Sequence, residues 1–508
     1  MRFKMKQVGL AVGAVLGGLS MLPTAQAVHV SPDGLGQVLI FPYYTTRANW
    51  NTLINITNTS AETVVAKVRF HEGYNSRDVF DFTVILSPFD VWNGTLTNGA
   101  GNVPNFSTVD RSCTVPAIPA GGQSLAAGQI SYTGAGAADS GPTGTERLRE
   151  GYITVLMEGT VAPAFTPAGA PDNLAAFATH NPATRIPFGC NRLQQAFSLQ
   201  APGAITPTPY PIATLRADFP NYALNPLKGA FSLVNADNGW NASGTAVTLA
   251  NFSTVNLITA QLGVAAVGGV YADSYHQPEL SSSNTTGAFI NNAGVVPAGP
   301  VGGADAVTFA LNRASVINQW ARLAASATNP WTVASDWVVT FPTKRFYVDQ
   351  GQALPAPGNL NNQYSGRAAG RPGLPAPGVL VAAAPPFTSL FAGGLSCDQV
   401  RWTIFDREEQ FVPGSPVFSP APAGNGLCAE TNVVTFDSSN VLGSAAGLTV
   451  NVPQLVDNQG REMQNGWMQM GFQNAGGRLP AVGFAVINRT EPAGDLNESF
   501  IVDHAYTR

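Results

Sequence analysis

The chain has 508 residues, more than the roughly 100 to 200 of an ordinary domain, so we expect two domains or one elaborated sandwich with long insertions. Charged residues make up 11% of the chain, against roughly 25% in an average soluble domain, while glycines number 53 and prolines 38. Beyond the leader the lysines are Lys67, Lys228 and Lys344, which form no basic stripe and so exclude nucleic acid as a partner.

The first 27 residues have the layout of a secretory signal peptide. Three basic residues precede an apolar run from Val8 to Leu22, and Ala25-Gln26-Ala27 forms a small-residue cleavage site. The apolar run is shorter than the ~20 residues of a membrane span. We therefore predict cleavage after Ala27, with an uncleaved anchor as the alternative, and a mature chain without a transmembrane span. The expected destination is the cell surface, the extracellular space or the periplasm.

The first strands are predicted between residues 36 and 92. The run GQVLIF ends at Pro42, which predicts an edge strand because proline cannot donate to a sheet. Segments at 52–57, 64–71 and 80–86 alternate apolar and polar residues, which predicts an antiparallel meander with one buried face and one solvated face. On this interpretation Lys67, Arg69 and His71 lie on the solvated face, and the meander requires a second layer.

Three stretches rich in small residues and proline predict surface loops. They cover 93–145, 201–225 and 351–395, and the last contains LPAPG twice. Between FSLVN and AVTLANF, the turn Asp237-Asn238-Gly239 predicts a hairpin, because Asn and Gly accept a positive φ. We expect this hairpin to lie in the middle of the fold.

One helix is predicted between Asp305 and Ala325, where Val316, Ile317, Trp320 and Leu323 recur at helical spacing. Strand-like runs then follow from residue 397 to the end: VRWTIFD, ETNVVTFD, GWMQMGFQ, AVGFAVIN and SFIVDHAY. Short strands with regular turns are typical of a sandwich. The predicted fold class is all-β, with antiparallel β-sandwiches, long Gly/Pro/Ala-rich loops and one or two short helices.

The predicted organisation has four parts. A signal peptide at 1–27 is followed by an N-terminal β-sandwich region at 28–260. An insertion at 261–395 contains the helix and the Pro/Gly-rich segment, and a C-terminal β region at 396–508 either completes the same sandwich or forms another.

Four cysteines are present, an even number in a chain predicted to enter an oxidising compartment. We predict disulfides Cys113–Cys190 and Cys397–Cys428, because neighbours in sequence close the smaller loops, with buried free thiols as the alternative. No Cys-x-x-Cys, phosphate-binding loop or dinucleotide fingerprint occurs, so we expect neither a metal nor a cofactor.

Candidate binding residues fall into two groups. Trp50 and Trp240 adjoin polar turn residues and could stack on sugars, although packing explains a tryptophan equally well. Asp406 and Glu408 could act as paired carboxylates in glycoside hydrolysis or bind calcium. The alternative for these two is a charged hairpin end that protects an edge strand from pairing. We predict no catalytic residues.

The runs HVSPDGLGQVLIFPYYT, RLREGYITVLMEG, SDWVVTFPTKRFYVD, GWMQMGFQ and SFIVDHAY give the chain a resemblance to uncharacterised exported or cell-surface β-rich proteins of Gram-negative bacteria. The resemblance covers most of the mature chain and implies export, but it carries over no functional residue.

The first functional hypothesis is a non-enzymatic structural or adhesive protein, secreted or held at the cell surface. Its expected partner is itself or an extracellular polymer, because few charges favour packing against further copies. The second hypothesis is a secreted carbohydrate-binding protein or glycoside hydrolase. It relies on the tryptophan and carboxylate candidates.

Overall fold

The computed structural model describes residues 27–125, 141–142, 144–199, 212–259, 261–262, 278–291, 294–326, 329–348, 383, 385–412, 426–452, 455–474, 476–491 and 497–507. Residues 1–26 of the predicted signal peptide, both LPAPG segments and most of the 351–395 loop lie outside these residues. Within them, mostly antiparallel sheets and a few short helices confirm the all-β prediction.

The first part of the chain supplies strands to two large sheets. Its strands are β1 (Ala27–Val30), β2 (Val38–Thr45), β3 (Asn51–Asn58), β4 (Thr63–Glu72), β5 (Asp78–Leu86), β6 (Val91–Asn98), β7 (Pro104–Ser107), β8 (Cys113–Val115), β9 (Gln123–Ser124), β10 (Glu150–Val161), β11 (Ser198–Leu199), β12 (Leu227–Asn235), β13 (Trp240–Thr245), β14 (Val247–Ala250), β15 (Gln261–Leu262), β16 (Thr286–Asn291) and β17 (Gly294–Val301). Its α-helices are α1 (Cys190–Phe197) and α2 (Ile212–Asp218), and short 3-10 helices lie at Ala100–Asn102, Thr145–Arg149, Leu174–Ala178 and Leu280–Ser282.

The second part supplies most of a third sheet. Its strands are β18 (Asn312–Arg313), β19 (Ser315–Leu323), β20 (Thr332–Thr340), β21 (Asp398–Asp406), β22 (Phe411–Val412), β23 (Gly426–Leu427), β24 (Thr431–Phe436), β25 (Thr449–Val452), β26 (Asn465–Phe472), β27 (Leu479–Pro480), β28 (Val482–Thr490), β29 (Asn497–Asp503) and β30 (Ala505–Thr507). Its helices are α3 (Gly303–Leu311) and α4 (Arg345–Val348).

We name the three large sheets by position. The middle sheet has the strand order β17-β16-β1-β14-β2-β10-β4-β5-β8, and the outer sheet has the order β13-β12-β3-β6-β7-β9. The C-terminal sheet runs β22-β21-β26-β19-β20-β24-β25, with β28 on β20, β29 on β28, and β30 on β19. None of the helices in the described residues has the length and hydropathy that a membrane crossing requires.

The middle sheet is buried on both faces. In β2, Leu39 and Phe41 belong to the core shared with the outer sheet, while Val38 and Ile40 belong to the core shared with the C-terminal sheet. A strand between two layers reads as a continuous apolar run rather than an alternating one. The run VLIF therefore marks an inner strand, and the edge position predicted from Pro42 is wrong.

Proline is tolerated inside this sheet because the ladder skips it. The pairing of β10 with β2 shifts register between Gly151 and Ile153, opposite Tyr44 and Phe41, so Pro42 lies at the irregularity. A residue at such a bulge has no ladder hydrogen bond to donate.

The predicted meander is right for two of its three segments. β4 and β5 pair antiparallel from Val64 with Leu86 to Phe70 with Phe80, but β3 crosses to the outer sheet, where it pairs with β6 and β12. The expected second layer is present, because β3 places Ile54 and Ile56 in the same core as β4.

The predicted hairpin at Asp237-Asn238-Gly239 forms, with Asn235 opposite Trp240 and Gly239 at a φ of 67°. It lies at the margin of the outer sheet rather than in the middle of the fold. The helix predicted at 305–325 is also only half right, since α3 stops at Leu311 and β19 follows. Val316 and Trp320 are buried while Gln319 is exposed, a spacing that suits a strand as well as a helix.

The polar face of β4 is buried, so the solvated position predicted for Lys67, Arg69 and His71 is wrong. These side chains are at most 2% exposed. Their cover comes from distant residues: Thr259 binds Glu158 beside Lys67, and Glu279 forms an ion pair with Arg69 at 3.8 Å. Local alternation cannot predict that residues about two hundred positions later cover this face of β4.

A further ion pair lies in the interior. Glu72 and Arg147 form a fully buried ion pair, with Arg147 Nε 2.9 Å from Glu72 Oε2. Glu72 also accepts backbone hydrogen bonds from Tyr74, Asn75 and Arg77, so its turn is built around the carboxylate. Removing one member would leave an uncompensated buried charge.

Both predicted disulfides are present, Cys113–Cys190 and Cys397–Cys428, and no free cysteine remains among the described residues. The first joins β8 to the start of α1, and the second joins the start of β21 to the segment before β24. Disulfides of this kind form and persist in oxidising compartments.

We predict that Arg147→Met lowers the free energy of unfolding by about 3 to 5 kcal/mol, because Glu72 would stay buried without its cation. Urea denaturation measures this. The matched control is Arg489→Met, which breaks the half-exposed Arg489–Glu498 pair and is expected to cost about 1 kcal/mol or less. Equal losses in the two variants would contradict the structural role of the buried pair.

Burial raises the pKa of Glu158 from 4.5 to about 7, against the opposing effect of Lys67. Because the folded-state pKa is the higher one, this group's stability contribution is complete below pH 4.5 and is lost as the pH rises through about 7. Glu158→Gln should therefore gain stability relative to the parent chain across that range, by about 3 kcal/mol at ~1.4 kcal/mol per pKa unit. Urea denaturation at several pH values tests this, with the exposed Glu498→Gln as control, and parallel curves for Glu158→Gln and the parent chain would refute it.

Candidate functional site

The densest group of titratable side chains lies between the middle and C-terminal sheets. The His71 ring stacks on Tyr152 at 4.7 Å, and Tyr152 Oη lies 2.7 Å from Ser76 Oγ and 3.5 Å from Glu430 Oε2. Arg345 lies beside this group and pairs with Glu279. Register explains the arrangement, since His71 and Tyr152 are directly paired across β4 and β10.

The electrostatics of this group follow from burial. Desolvation lowers the pKa of His71 well below its usual value, and Arg345 and Arg69 lower it further. Desolvation also raises the pKa values of Tyr152 and Glu430 well above their usual ranges. Each of these three side chains is at most 2% exposed, so no substrate reaches them from the solvent. The group fastens two sheets together and forms no open reactive centre.

A polar cleft of about 630 Å³ lies between the segments around Arg216, Asn256 and Ser281 and the end of β17 at Val301. Hydroxyl and amide side chains line much of it, including Ser281, Ser283 and Asn284. These groups already bind the protein: Ser281 donates to Glu279, Ser283 donates to the Phe252 carbonyl, and Asn284 accepts from Thr254. The polar groups that a ligand in this cleft would bind are therefore already engaged in hydrogen bonds within the protein.

The tryptophan candidates pack against each other. Trp50 is 0% exposed, stacks on Trp240 at 5.8 Å and donates from Nε1 to the Val441 carbonyl. Its ring has no free face for a sugar, which corrects the sequence interpretation. Trp240 is half-buried, and Trp50 covers one of its faces.

The carboxylate candidates lie in the hairpin between β21 and β22. Asp406 Oδ1 accepts hydrogen bonds from the backbone N–H groups of Glu408, at 3.0 Å, and Gln410, at 2.7 Å. Asp406 therefore closes the turn, while the Glu408 side chain is exposed. This geometry agrees with the alternative of a charged hairpin end.

Beside this hairpin lies a row of three aromatic rings, which we call the aromatic row: the exposed Phe411 and Trp467, with the partly buried Phe405 between them. Phe405 stacks on Trp467 with centroids 4.3 Å apart and planes 12° apart, and it lies 6.1 Å from Phe411. Trp467 is 41% exposed and Phe411 40%. Because Phe405 and Trp467 stack face to face, each ring covers one face of the other, and solvent reaches the remaining surface of Trp467.

Register builds the row. Phe411 pairs with Phe405 across β22 and β21, Phe405 pairs with Trp467 across β21 and β26, and Trp467 pairs with Gln319 across β26 and β19. Neighbouring strands lie about 4.8 Å apart, so the three rings span about 10 Å, and Gln319 on the fourth strand extends the row to about 14 Å. The alternate residues Trp402, Ile404, Met468 and Met470 point into the core and fix the face of each strand.

Polar groups lie next to the aromatic row on the same face. Two residues along each strand are Thr403, Gln469 and Ile317, and Gln469 donates to Ser315 Oγ at 2.9 Å. The exposed Gln319 extends the row itself. The face therefore combines ring surfaces with neutral donors and acceptors.

Period-two alternation in VRWTIFD and GWMQMGF contains the signal for this face. In these runs Phe405 and Trp467 alternate with the buried residues, among them Ile404, Met468 and Met470. What no local pattern shows is that β21 and β26 pair in the register that stacks the two rings.

Within the described residues, no three His, Cys, Asp or Glu side chains converge as a metal ion would require. The search of known proteins adds no relative: no protein-family model, no curated protein and no solved structure matches this chain.

Proposed function

We propose that this chain is an exported, non-enzymatic adhesive protein that binds a neutral extracellular polysaccharide through the aromatic row. The observation that carries the proposal is the stacking of Phe405 and Trp467 on a solvent-facing sheet surface. Support for export comes from the signal-peptide pattern and from two disulfides, which belong in an oxidising compartment.

The chemistry of the row fits a sugar chain. A pyranose ring has a C–H face and a rim of hydroxyl groups, and an exposed aromatic ring packs well against such an apolar face. The amides of Gln319 and Gln469 and the hydroxyl of Thr403 lie where rim hydroxyls need partners. At about 14 Å the row is longer than a single sugar ring, which favours a polymer over a monosaccharide.

The same geometry argues for binding without hydrolysis. A glycosidase needs two carboxyl groups on opposite sides of the scissile bond. Here Asp406 is committed to closing the hairpin turn by accepting two backbone hydrogen bonds, so it is not aimed at a ligand on the row.

We predict that Trp467→Ala weakens binding to the recognised polysaccharide at least about tenfold, since an aromatic anchor typically contributes more than about 1.4 kcal/mol. Pull-down with insoluble cellulose, chitin and starch, followed by depletion isotherms, measures it. The control is Phe500→Ala, which removes an equally exposed ring, 40% exposed, from β29 outside the row. Thermal melting checks that both variants fold.

Two results would overturn this proposal. The parent chain could bind no polysaccharide in the panel or on a wider glycan array. Alternatively, Trp467→Ala and Phe500→Ala could weaken binding equally, which would show that any exposed ring serves.

A second function, self-association, is favoured by the outward face of the outer sheet. This face carries amide and hydroxyl side chains, including Asn55, Asn93 and Ser232, around the exposed aliphatic Leu53. Among the outward-facing residues described in β3, β6, β7, β12 and β13, none is a carboxylate. In a chain with net charge -5, copies repel one another least through such a face.

The self-association proposal predicts that the double variant Leu53→Asp, Ser232→Asp is monomeric at concentrations where the parent chain forms dimers or larger species, because the new carboxylates repel across the interface. Light scattering after size exclusion measures this. Val301→Asp, at a position 67% exposed elsewhere, is the control. A monomeric parent chain would refute self-association.

A further inference from the structure

Lys344 and Asp398 form a pair that is sealed from solvent. Both side chains are 0% exposed, and Lys344 Nζ lies 2.9 Å from Asp398 Oδ2. Lys344 lies in the turn between β20 and α4, and Asp398 begins β21, directly after Cys397 of the second disulfide. The two groups come from segments 54 positions apart in sequence and meet only in the folded chain.

The surroundings of this pair are apolar on one side. The rings of Phe341 and Phe387 lie 5.5 Å and 5.6 Å from Lys344 Nζ. On the other side Nζ donates to the carbonyl oxygens of Ser396 and Leu427. Two fixed carbonyls and two rings leave the nitrogen a single orientation, toward Asp398.

The Asp398 carboxyl group is held asymmetrically. Its Oδ1 atom accepts from the backbone N–H and the hydroxyl of Thr388, both at 3.3 Å. Its Oδ2 atom is buried and accepts no hydrogen bond of ordinary geometry, although Nζ is 2.9 Å away. The nitrogen therefore approaches this carboxyl group without the alignment of a well-formed ion pair.

A third group, Glu430, completes the arrangement. It is 0% exposed, its Oε1 atom has no hydrogen-bond partner, and its backbone carbonyl accepts from Phe341, whose own carbonyl accepts from the Lys344 N–H. Burial raises the pKa of Glu430 well above its usual range, which favours the protonated carboxylic acid. An acid in this form can pass a proton between a nitrogen and a leaving oxygen.

We propose that Lys344 and Asp398 condense to an intramolecular isopeptide bond after the chain folds. The ammonium gives one proton to the carboxylate, and the resulting amine attacks Cγ of Asp398. The new N–Cγ bond replaces a Cγ–O bond, and the departing hydroxyl takes a second proton from nitrogen through Glu430. The products are one amide and one water, with no oxidant, cofactor or further reactant.

The interior favours this product over the ion pair. Two buried charges carry a large desolvation cost, the neutral amide carries a much smaller one, and the released water returns to solvent. Proximity takes the place of chemical activation of the carboxyl group, because the nitrogen is already held beside the carbon that it attacks. The bond would join the end of β20 to the start of β21, next to the Cys397–Cys428 disulfide.

The chain contains a matched control pair. Lys67 is also 0% exposed and acts electrostatically on the buried Glu158. Glu158, however, accepts hydrogen bonds on both oxygens, on Oε1 from Thr259 and on Oε2 from Thr83. With both oxygens engaged it keeps its carboxyl group, so we expect no cross-link there.

Mass spectrometry of the exported, folded chain tests the proposal directly. After N-terminal sequencing and reduction of both disulfides, the intact mass should fall short of the sequence mass by one water. Protease digestion should then give one branched peptide joining the segments around Lys344 and Asp398, and linear peptides around Lys67 and Glu158. A full sequence mass would show an ordinary ion pair and overturn the proposal.

Variants assign the missing water to this pair. Asp398→Ala and Lys344→Arg should each restore the full mass, and a persistent deficit in either would place the modification elsewhere and refute the assignment. Glu430→Gln should lower the cross-linked fraction, whereas an unchanged fraction would remove Glu430 from the proton path. Because the parent chain alone decides the main question, a variant that fails to fold does not affect it. The proposal is independent of polysaccharide binding.

Discussion

The burial of the middle sheet on both faces is the constraint on which the rest of the structure depends. A strand between two layers has no solvated side, so every polar side chain on it must find its partner inside the protein. Glu72 with Arg147, Lys67 with Glu158, and Arg69 with Glu279 meet this requirement. Of the three lysines after residue 27, two are fully buried, so the charge content of the surface is even lower than the composition suggests.

The local sequence pattern was sufficient to predict the strands but not to predict which of their faces are buried. The runs around Ile153, Val339, Ile404 and Val486 form strands because period two and β-branched residues act within one segment. The disulfide pairing was equally accessible, because short loops close at the smallest entropic cost. The burial of the polar face of β4 could not be predicted in this way, because Glu279 and Thr259 cover it from remote parts of the chain.

The candidate site was missed for a related reason. Residue type alone suggested tryptophans and carboxylates as binding residues, yet Trp50 packs in the core and Asp406 closes a turn. Phe405 and Trp467 can be identified as a stacked pair only when the register between β21 and β26 is known. The molecule thus separates two kinds of polar chemistry. Groups with displaced protonation equilibria lie inside and join the sheets, whereas neutral amides and partly exposed rings lie on the surface.

The strand order of the middle sheet also governs how quickly the chain can fold. β1 pairs with β14 and β16, and β2 lies between β14 and β10. Strands near the start of the chain therefore cannot complete their pairing until residues near 250 and 290 have joined the sheet. Contacts of such long sequence separation make folding slow, because a large loop must close before the pairing is rewarded. During that delay β1 and β2 present unpaired backbone and a continuous apolar run to any neighbouring chain. The interval between synthesis and closure of this sheet is therefore the period in which the protein is most exposed to aggregation.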